Sequence, residues 1–133
     1  MTAVEVVRAI AQALDADDFP AVAALLAEDC VYDTGGQVLR GPRAIVASYR
    51  AATEWAHAHL DSIRYESALE APAGDEVGVV FTDRVVHRGR RHVHQCRQAF
   101  TVRDGRVTRI VHHELPGESA AMRAFLDACG LVR

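Results

Sequence analysis

The stretch Val79-Val80-Phe81-Thr82-Asp83-Arg84-Val85-Val86-His87-Arg88-Gly89-Arg90-Arg91-His92-Val93-His94-Gln95-Cys96-Arg97-Gln98-Ala99-Phe100 decides the fold. Two runs rich in β-branched and aromatic residues flank a glycine, which predicts a β-hairpin. Gly89-Arg90 suits a two-residue turn with glycine first. Counting outward from it, His87 faces His92, Val85 faces His94, Asp83 faces Cys96, Phe81 faces Gln98 and Val79 faces Phe100. Strand side chains alternate, so these ten share one face, the more apolar one. The opposite face carries Thr82, Arg84, Arg88, Gln95, Arg97 and Arg103, a solvated or interfacial set.

Working outward, the meander continues on both sides. Ser62 to Leu69 reads as a strand, Pro72-Ala73-Gly74-Asp75 as a turn and Glu76 to Arg88 as a long strand. His92 to Val102 is the next strand, and Arg106 to Leu115 the last. The Asp104-Gly105 turn between them has two readings. A two-residue turn puts Arg109, Val111 and His113 on the face of Cys96 and Gln98. A three-residue loop with Gly105 as a left-handed bulge puts Ile110, His112 and Glu114 there. An arginine beside Phe100 is expensive to bury, so we adopt the bulge. Cys96 then faces His112, and His94 faces Glu114.

The first half reads as helical. Thr2-Ala3-Val4-Glu5 has the form of a capping box, and Val4, Val7, Ala11 and Leu14 follow at helical spacing. Asp15 to Asp18 breaks that pattern. Pro20 fits the first turn of a short helix carrying Val22, Leu25 and Leu26. Cys30 to Thr34 is β-like and ends at Gly35-Gly36. Gly41-Pro42 opens a longer helix with Ile45, Tyr49, Ala52, Ala56 and Leu60 on one face. After Pro116-Gly117, a terminal helix carries Met122, Phe125, Leu126 and Cys129, with Gly130 as its left-handed stop. Helices followed by antiparallel strands imply an α+β architecture, with helices covering one face of a curved sheet and a pocket between.

Composition narrows the function. The chain has 133 residues, half of them hydrophobic and a quarter charged, which predicts one globular domain. A net charge of −3 argues against nucleic acid as a partner. Neither a membrane-spanning apolar run nor a signal-peptide pattern is visible. Three cysteines without a close pair read as reduced thiols, which predicts a cytoplasmic protein. Protonating all seven histidines would carry the formal charge from −3 to +4.

Several stretches resemble a known family. Asp18-Phe19, Leu25 to Asp33 and Gly41-Pro42-Arg43-Ala44-Ile45 look like the front half of nuclear-transport-factor-two-like proteins, in the SnoaL-like and ketosteroid-isomerase-like branch. Phe100 to Val107 looks like that family's last hairpin. The resemblance implies a SnoaL-like domain over residues 1–133: a cone-shaped α+β barrel, its curved, mostly antiparallel sheet wrapped around N-terminal helices, with a C-terminal helix and an apolar pocket. Members include isomerases, hydratases, cyclases and non-catalytic modules, often dimeric through the sheet. Keyed on Asp18 and Asp29, the isomerase's catalytic aspartate falls on Thr34, its helix-one tyrosine on Ile10 and its neutral acid donor on Gln98. A base with a tyrosine and protonated-aspartate oxyanion hole is therefore not carried over.

The residues themselves offer candidates. Asp83 is a carboxylate on an apolar face and needs a partner: a base, an orienter of His112, or the mate of an arginine. His94 opposite Glu114 follows general-base logic, or forms a rim ion pair. His112 has the better claim to the interior than His113. We therefore take His112, Asp83, His94 and Glu114 as the acid–base set. Tyr32, Trp55, His59, Phe81, Cys96, Gln98, Phe100 and Ile110 are the expected ligand-binding residues, with Trp55 and His59 capping the pocket mouth. His92-x-His94, with His87 near by, is a weak metal pattern, and with His87 and His92 near the turn and solvent we assign no metal and no cofactor. Cys96 lacks a positive neighbour and reads as packing.

The expected function is binding of a small, largely apolar organic ligand, with isomerase, cyclase or dehydratase chemistry run by acid–base groups alone. The alternative is a non-catalytic binding or dimerising module with a vestigial pocket. A homodimer is expected through the outer sheet face, where Val80, Val86, Val93 and Ala99 form an uncovered stripe among Thr82, Arg84, Gln95, Arg97 and Thr101.

Overall fold

The computed structural model describes residues 1–131, so the last two residues of the expected 1–133 domain lie outside the described residues. The elements are α1 (Ala3–Asp15), α2 (Phe19–Leu25), β1 (Leu26–Asp33), β2 (Val38–Arg40), α3 (Pro42–His59), β3 (Ser62–Leu69), β4 (Glu76–His87), β5 (Arg90–Arg103), β6 (Arg106–Glu114) and α4 (Glu118–Ala128). The Thr2 hydroxyl accepts from the Glu5 amide at 3.2 Å, and Glu5 accepts from the Thr2 amide at 3.3 Å. This is the expected capping box, and it directs Val6, Val7, Ile10 and Ala11 inward. Asp18 caps α2 by accepting from the Ala21 amide.

The sheet runs β2-β1-β6-β5-β4-β3 and is antiparallel except where β1 pairs with β6. Helix α3 touches β1 and β2 at one edge and β3 at the other. A sheet whose two edges meet the same helix must curl around it, which produces the cone. Gly41, at φ 84°, turns the chain from β2 into α3 while its amide donates to the Cys30 carbonyl.

Two hairpins differ from the expected pairing. The first turn is Arg88-Gly89, not Gly89-Arg90: both residues have positive φ, at 50° and 74°, and His87 pairs with Arg90. This is the primed turn geometry that matches strand twist. Every cross-strand pair moves by two, so Val85 opposes His92, Asp83 opposes His94, Phe81 opposes Cys96 and Val79 opposes Gln98. A shift of two keeps each side chain on its face.

The second turn combines the two readings. Asp104 and Gly105, at φ 52° and 76°, form a two-residue turn with Arg103 opposite Arg106. The bulge lies inside the strand instead, where the register shifts between the Val102–Val107 and Thr101–Arg109 pairs. His112 is thereby on the inner face and opposes Gln98, while Glu114 opposes Cys96. The expected Cys96–His112 and His94–Glu114 oppositions are replaced. Two further differences lie upstream: β1 begins at Leu26 instead of Cys30, and β2 was not anticipated.

The main core joins α1 and α3 to the sheet through fully buried Ile10, Ile45, Phe100, Ile110, Val77 and Val79. Each large side chain of this kind contributes roughly 1.5–3 kcal/mol. A second cluster, of Ala56, Leu60, Val85 and Leu126, seats α4 beneath the hairpin end. Gly130 takes φ 73° and the Leu131 amide donates to the Leu126 carbonyl, closing α4 as expected.

Candidate functional site

A cavity of about 230 Å³ lies between the helices and the concave sheet. The sheet supplies Tyr32 from β1, Tyr65 from β3, Phe81 and Asp83 from β4, Cys96 and Gln98 from β5, and His112 from β6. The helical side supplies Leu14, Asp15, Asp17, Phe19, Ser48, Tyr49, Ala52 and Thr53. Alternation along β4, β5 and β6 aims their polar residues at a common space.

One end of the cavity is a hydrogen-bonded relay centred on buried Gln98. The Tyr49 hydroxyl donates to Gln98 Oε1 at 2.6 Å. Gln98 Nε2 donates to the Tyr32 hydroxyl at 2.9 Å and to His112 Nδ1 at 3.1 Å. An amide nitrogen only donates, so Nδ1 accepts, and the neutral imidazole carries its proton on Nε2. Burial pulls the His112 pKa below the usual imidazole value, with His94 and His113 acting in the same direction and Glu114 opposing. The tyrosine rings stack at 5.3 Å. Burial pushes Tyr32 up to about 12 and Tyr49 well above the usual phenol value.

The other end carries carboxylates. Ser67 donates to Asp15 Oδ2 at 2.6 Å, while Asp15 Oδ1 is shielded from solvent and has no hydrogen-bond partner among the described residues. Burial raises the Asp15 pKa, Ser67 opposes that shift, and Glu66 adds to it. Asp17 accepts from the Thr53 hydroxyl at 3.1 Å, and Thr53 in turn lies 2.7 Å from the Tyr65 hydroxyl. Cys96 sits between the two ends, its thiol pushed up to about 12 by burial first and then by Asp83, Glu114 and Glu118. It is no thiolate at neutral pH.

The structure brings Tyr32, Phe81, Asp83, Cys96, Gln98 and His112 of the expected set to this cavity. Phe100 and Ile110 are wholly buried behind it and line nothing, because core packing takes their side chains completely. Trp55 and His59 do not cap its mouth. They stack on each other at 4.6 Å, one helical turn apart, and Trp55 walls a smaller pocket above the second core cluster while His59 is exposed. His94 and Glu114 line a separate cleft under α4, shared with His112, and Glu114 accepts from Ser119. His87 and His92 were expected to meet solvent. His87 is 9% exposed and lies 3.5 Å from the Asp61 carboxylate, and the return of α4 stacks Phe125 on His92 at 5.1 Å.

Asp15, Asp17, Tyr49, Thr53 and Tyr65 were missed. Tyr49 was visible on the inner stripe of α3, but its partner Gln98 lies 49 residues away. The aspartates read only as a helix break.

The family model for the SnoaL-like domain matches residues 7–110. The chain belongs to the SnoaL-like family. No curated protein matches it. Among solved structures, the SnoaL-like chain is similar to a protein from Xanthomonas campestris pv. campestris assigned as a polyketide cyclase, with 25% identity, TM-score 0.70 and coverage of 90% of this chain and 94% of that one. It is also similar to an LEH-like epoxide hydrolase of M. tuberculosis, with 25% identity, TM-score 0.61 and coverage of 95% and 96%. A protein with ketosteroid isomerase-like fold from Catenulispora acidiphila, in complex with trimethylamine, aligns at 19% identity and TM-score 0.69 over 99% and 96%. The α+β cone is thus the fold of this family. The isomerase positions carried by resemblance are occupied differently here: Ile10 is core, Thr34 sits in the β1–β2 turn, and Gln98 is an amide bonded to Tyr49, Tyr32 and His112.

Proposed function

We propose that this SnoaL-like protein binds a small, largely apolar organic molecule bearing a carbonyl or enol oxygen and moves a proton on it. The observation that carries this reading is the Gln98 relay, which holds His112 neutral with its proton on Nε2 inside a cavity that also holds carboxylates. In that state the imidazole donates to an oxygen as negative charge develops there, and Asp83 serves as the supporting carboxylate. Asp15, with one unpartnered oxygen, is a second acceptor for the migrating proton. Phe81, Leu14 and Phe19 supply apolar wall. A cavity of about 230 Å³ is below the roughly 300–1,000 Å³ typical of drug-sized ligands, which favours a molecule of one or two rings. The assignments of the Xanthomonas and M. tuberculosis structures, as a cyclase and an epoxide hydrolase, also concern organic substrates.

The test uses a panel of one- and two-ring ketones and enones in heavy water, followed by NMR. Deuterium should enter at the carbon beside the carbonyl, and His112→Ala should slow this by about a hundred- to ten-thousand-fold. Exchange at an unchanged rate in His112→Ala would overturn the mechanism. Binding without exchange in the wild type would leave a non-catalytic binding module.

We further propose a homodimer through the outer sheet face, where Val93 is 46% exposed and Val80 and Val86 are half-buried, although Ala99, expected in the uncovered stripe, is buried. The unpaired state of Cys30, Cys96 and Cys129 supports a cytoplasmic setting. No helix among the described residues is long and apolar enough to cross a membrane.

A further inference from the structure

Beyond the cavity, the underside of α4 meets the β4–β5 hairpin at a second cluster of titratable groups. His92 and His94 are two apart on β5 and therefore share a face. Glu118, the first residue of α4, is laid against them, and one ligand atom from each of the three lies within 4.8 Å of the other two. We propose that His92, His94 and Glu118 form a three-ligand site for a divalent transition ion of the zinc type.

Three observations carry it. First, His92 Nε2 and His94 Nδ1 are both shielded from solvent and neither has a hydrogen-bond partner among the described residues. Two orphaned imidazole nitrogens side by side are costly unless something between them accepts their lone pairs or takes their protons. Second, the carboxylate beside them does not meet that need alone. Glu118 Oε2 is 3.6 Å from His94 Nδ1, too long for a hydrogen bond. Third, the ligands are held from behind. Glu118 Oε2 accepts from the Gln95 amide at 3.2 Å, and the His92 ring stacks on Phe125. Such backing keeps ligands aimed at a metal.

The chemistry of the donors selects the ion. Two imidazoles and a carboxylate suit zinc and its borderline neighbours, whereas calcium and magnesium demand oxygen. Ligands about 2.0–2.2 Å from one ion stand roughly 3.3 Å apart. The His94–Glu118 pair is near that spacing already, and the widest separation needs only a side-chain adjustment. Three protein ligands leave a fourth position open, and His94 itself lines the cleft that His112 shares. The ion would also tie α4 to β5, since its ligands come from both.

The test takes the untagged full chain, treated with chelator and dialysed, and titrates it with zinc chloride by calorimetry and with cobalt(II) by visible absorption. The expected result is one ion per chain, with a melting temperature that rises on adding zinc. His94→Ala and Glu118→Gln should each weaken zinc binding by about a hundredfold or more, beyond what losing an outer partner usually costs. His57→Ala, on the exposed surface, should leave binding unchanged. Zinc affinity in Glu118→Gln equal to wild type, or loss of binding in His57→Ala, would overturn the site. Should His94→Ala fail to fold, the near-isosteric Glu118→Gln carries the test.

Discussion

The inner and outer faces of the β4–β5 hairpin are built from alternate residues of the same strands, yet they are held by different kinds of contact. On the outer face, polar side chains pair with one another across the sheet surface: Arg84 with Glu66, Arg97 with Glu70, Gln95 with Thr82. The two ion pairs are open to solvent, and each such pair is worth about 0–1 kcal/mol. Gly78 leaves room for one of them, since a Cβ there would meet Glu70 Oε1 at 2.2 Å and Arg97 Nη2 at 2.5 Å. On the inner face, Gln98 reaches Tyr49 on α3, Tyr32 on β1 and His112 on β6. Here each broken bond leaves a buried group unsatisfied, at about 1–3 kcal/mol apiece. Alternation chooses the face, and the face decides how much a hydrogen bond matters.

The largest effect should come from alkali. Cys96 and Tyr32 are each pushed up to about 12, and burial raises Tyr49 well above the usual phenol value, so the fold favours their neutral forms. Groups of this sign contribute fully below their unfolded values near 9 and 10 and lose that contribution as pH rises. Denaturant melts between pH 8 and 11.5 should show stability falling by several kcal/mol, on the order of 2 for Tyr32 alone. A flat profile would mean the inner face is wet. Next in size, Gln98→Leu strands Tyr49, Tyr32 and His112 Nδ1 together and should cost about 3 kcal/mol or more by urea denaturation. A loss below about 1 kcal/mol would dissolve the contrast between the faces.

Acid sharpens the same point in the opposite direction. The folded pKa of His112 is depressed, so between about 6.5 and that lower value the unfolded chain binds a proton that the folded chain does not. Stability is therefore complete above the unfolded value and is lost as pH falls. The decline between pH 7 and 5 should be shallower in His112→Gln than in wild type. The smallest change belongs to the outer face, where Arg97→Ala should cost about 0.5 kcal/mol in the same urea assay. Val93→Glu should leave stability alone and convert the proposed dimer to a monomer in light scattering; a wild-type monomer across the micromolar range would remove the dimer.

Much of the fold was legible because its signals are local. The capping box at Thr2-Glu5, the Gly41-Pro42 start of α3, the Ser62–Leu69 strand and the Gly130 stop depend on residues a few positions apart. The observed hairpin partners differ from the expected ones by two positions, since Arg88-Gly89 and Gly89-Arg90 both suit a two-residue turn by composition. That difference left every inner residue inner. His112 is on the expected face for a different reason: a one-residue bulge is present as expected, but it lies beside Thr108 and not at Gly105. The missed site residues were Tyr49, Thr53 and the aspartates at the end of α1, whose partners come from distant strands.

The sequence by itself determined the alternation and, with it, that Asp83, Cys96 and Gln98 share a face, because the strand period survives any even slip of register, whereas His112 joins them only through the bulge beside Thr108. It also determined where the helices start and stop, since caps and turn glycines act within a few residues. Only the tertiary structure decided who meets whom across elements. Curling of the sheet around α3 brings Tyr49 to Gln98, and the packing of α1 on the sheet brings Asp15 to Ser67. The docking of α4, through Leu126 on Ala56, Leu60 and Val85, carries Glu118 to His92 and His94. These meetings depend on how two hydrophobic surfaces close over each other, a property of the assembled core that no local spacing encodes.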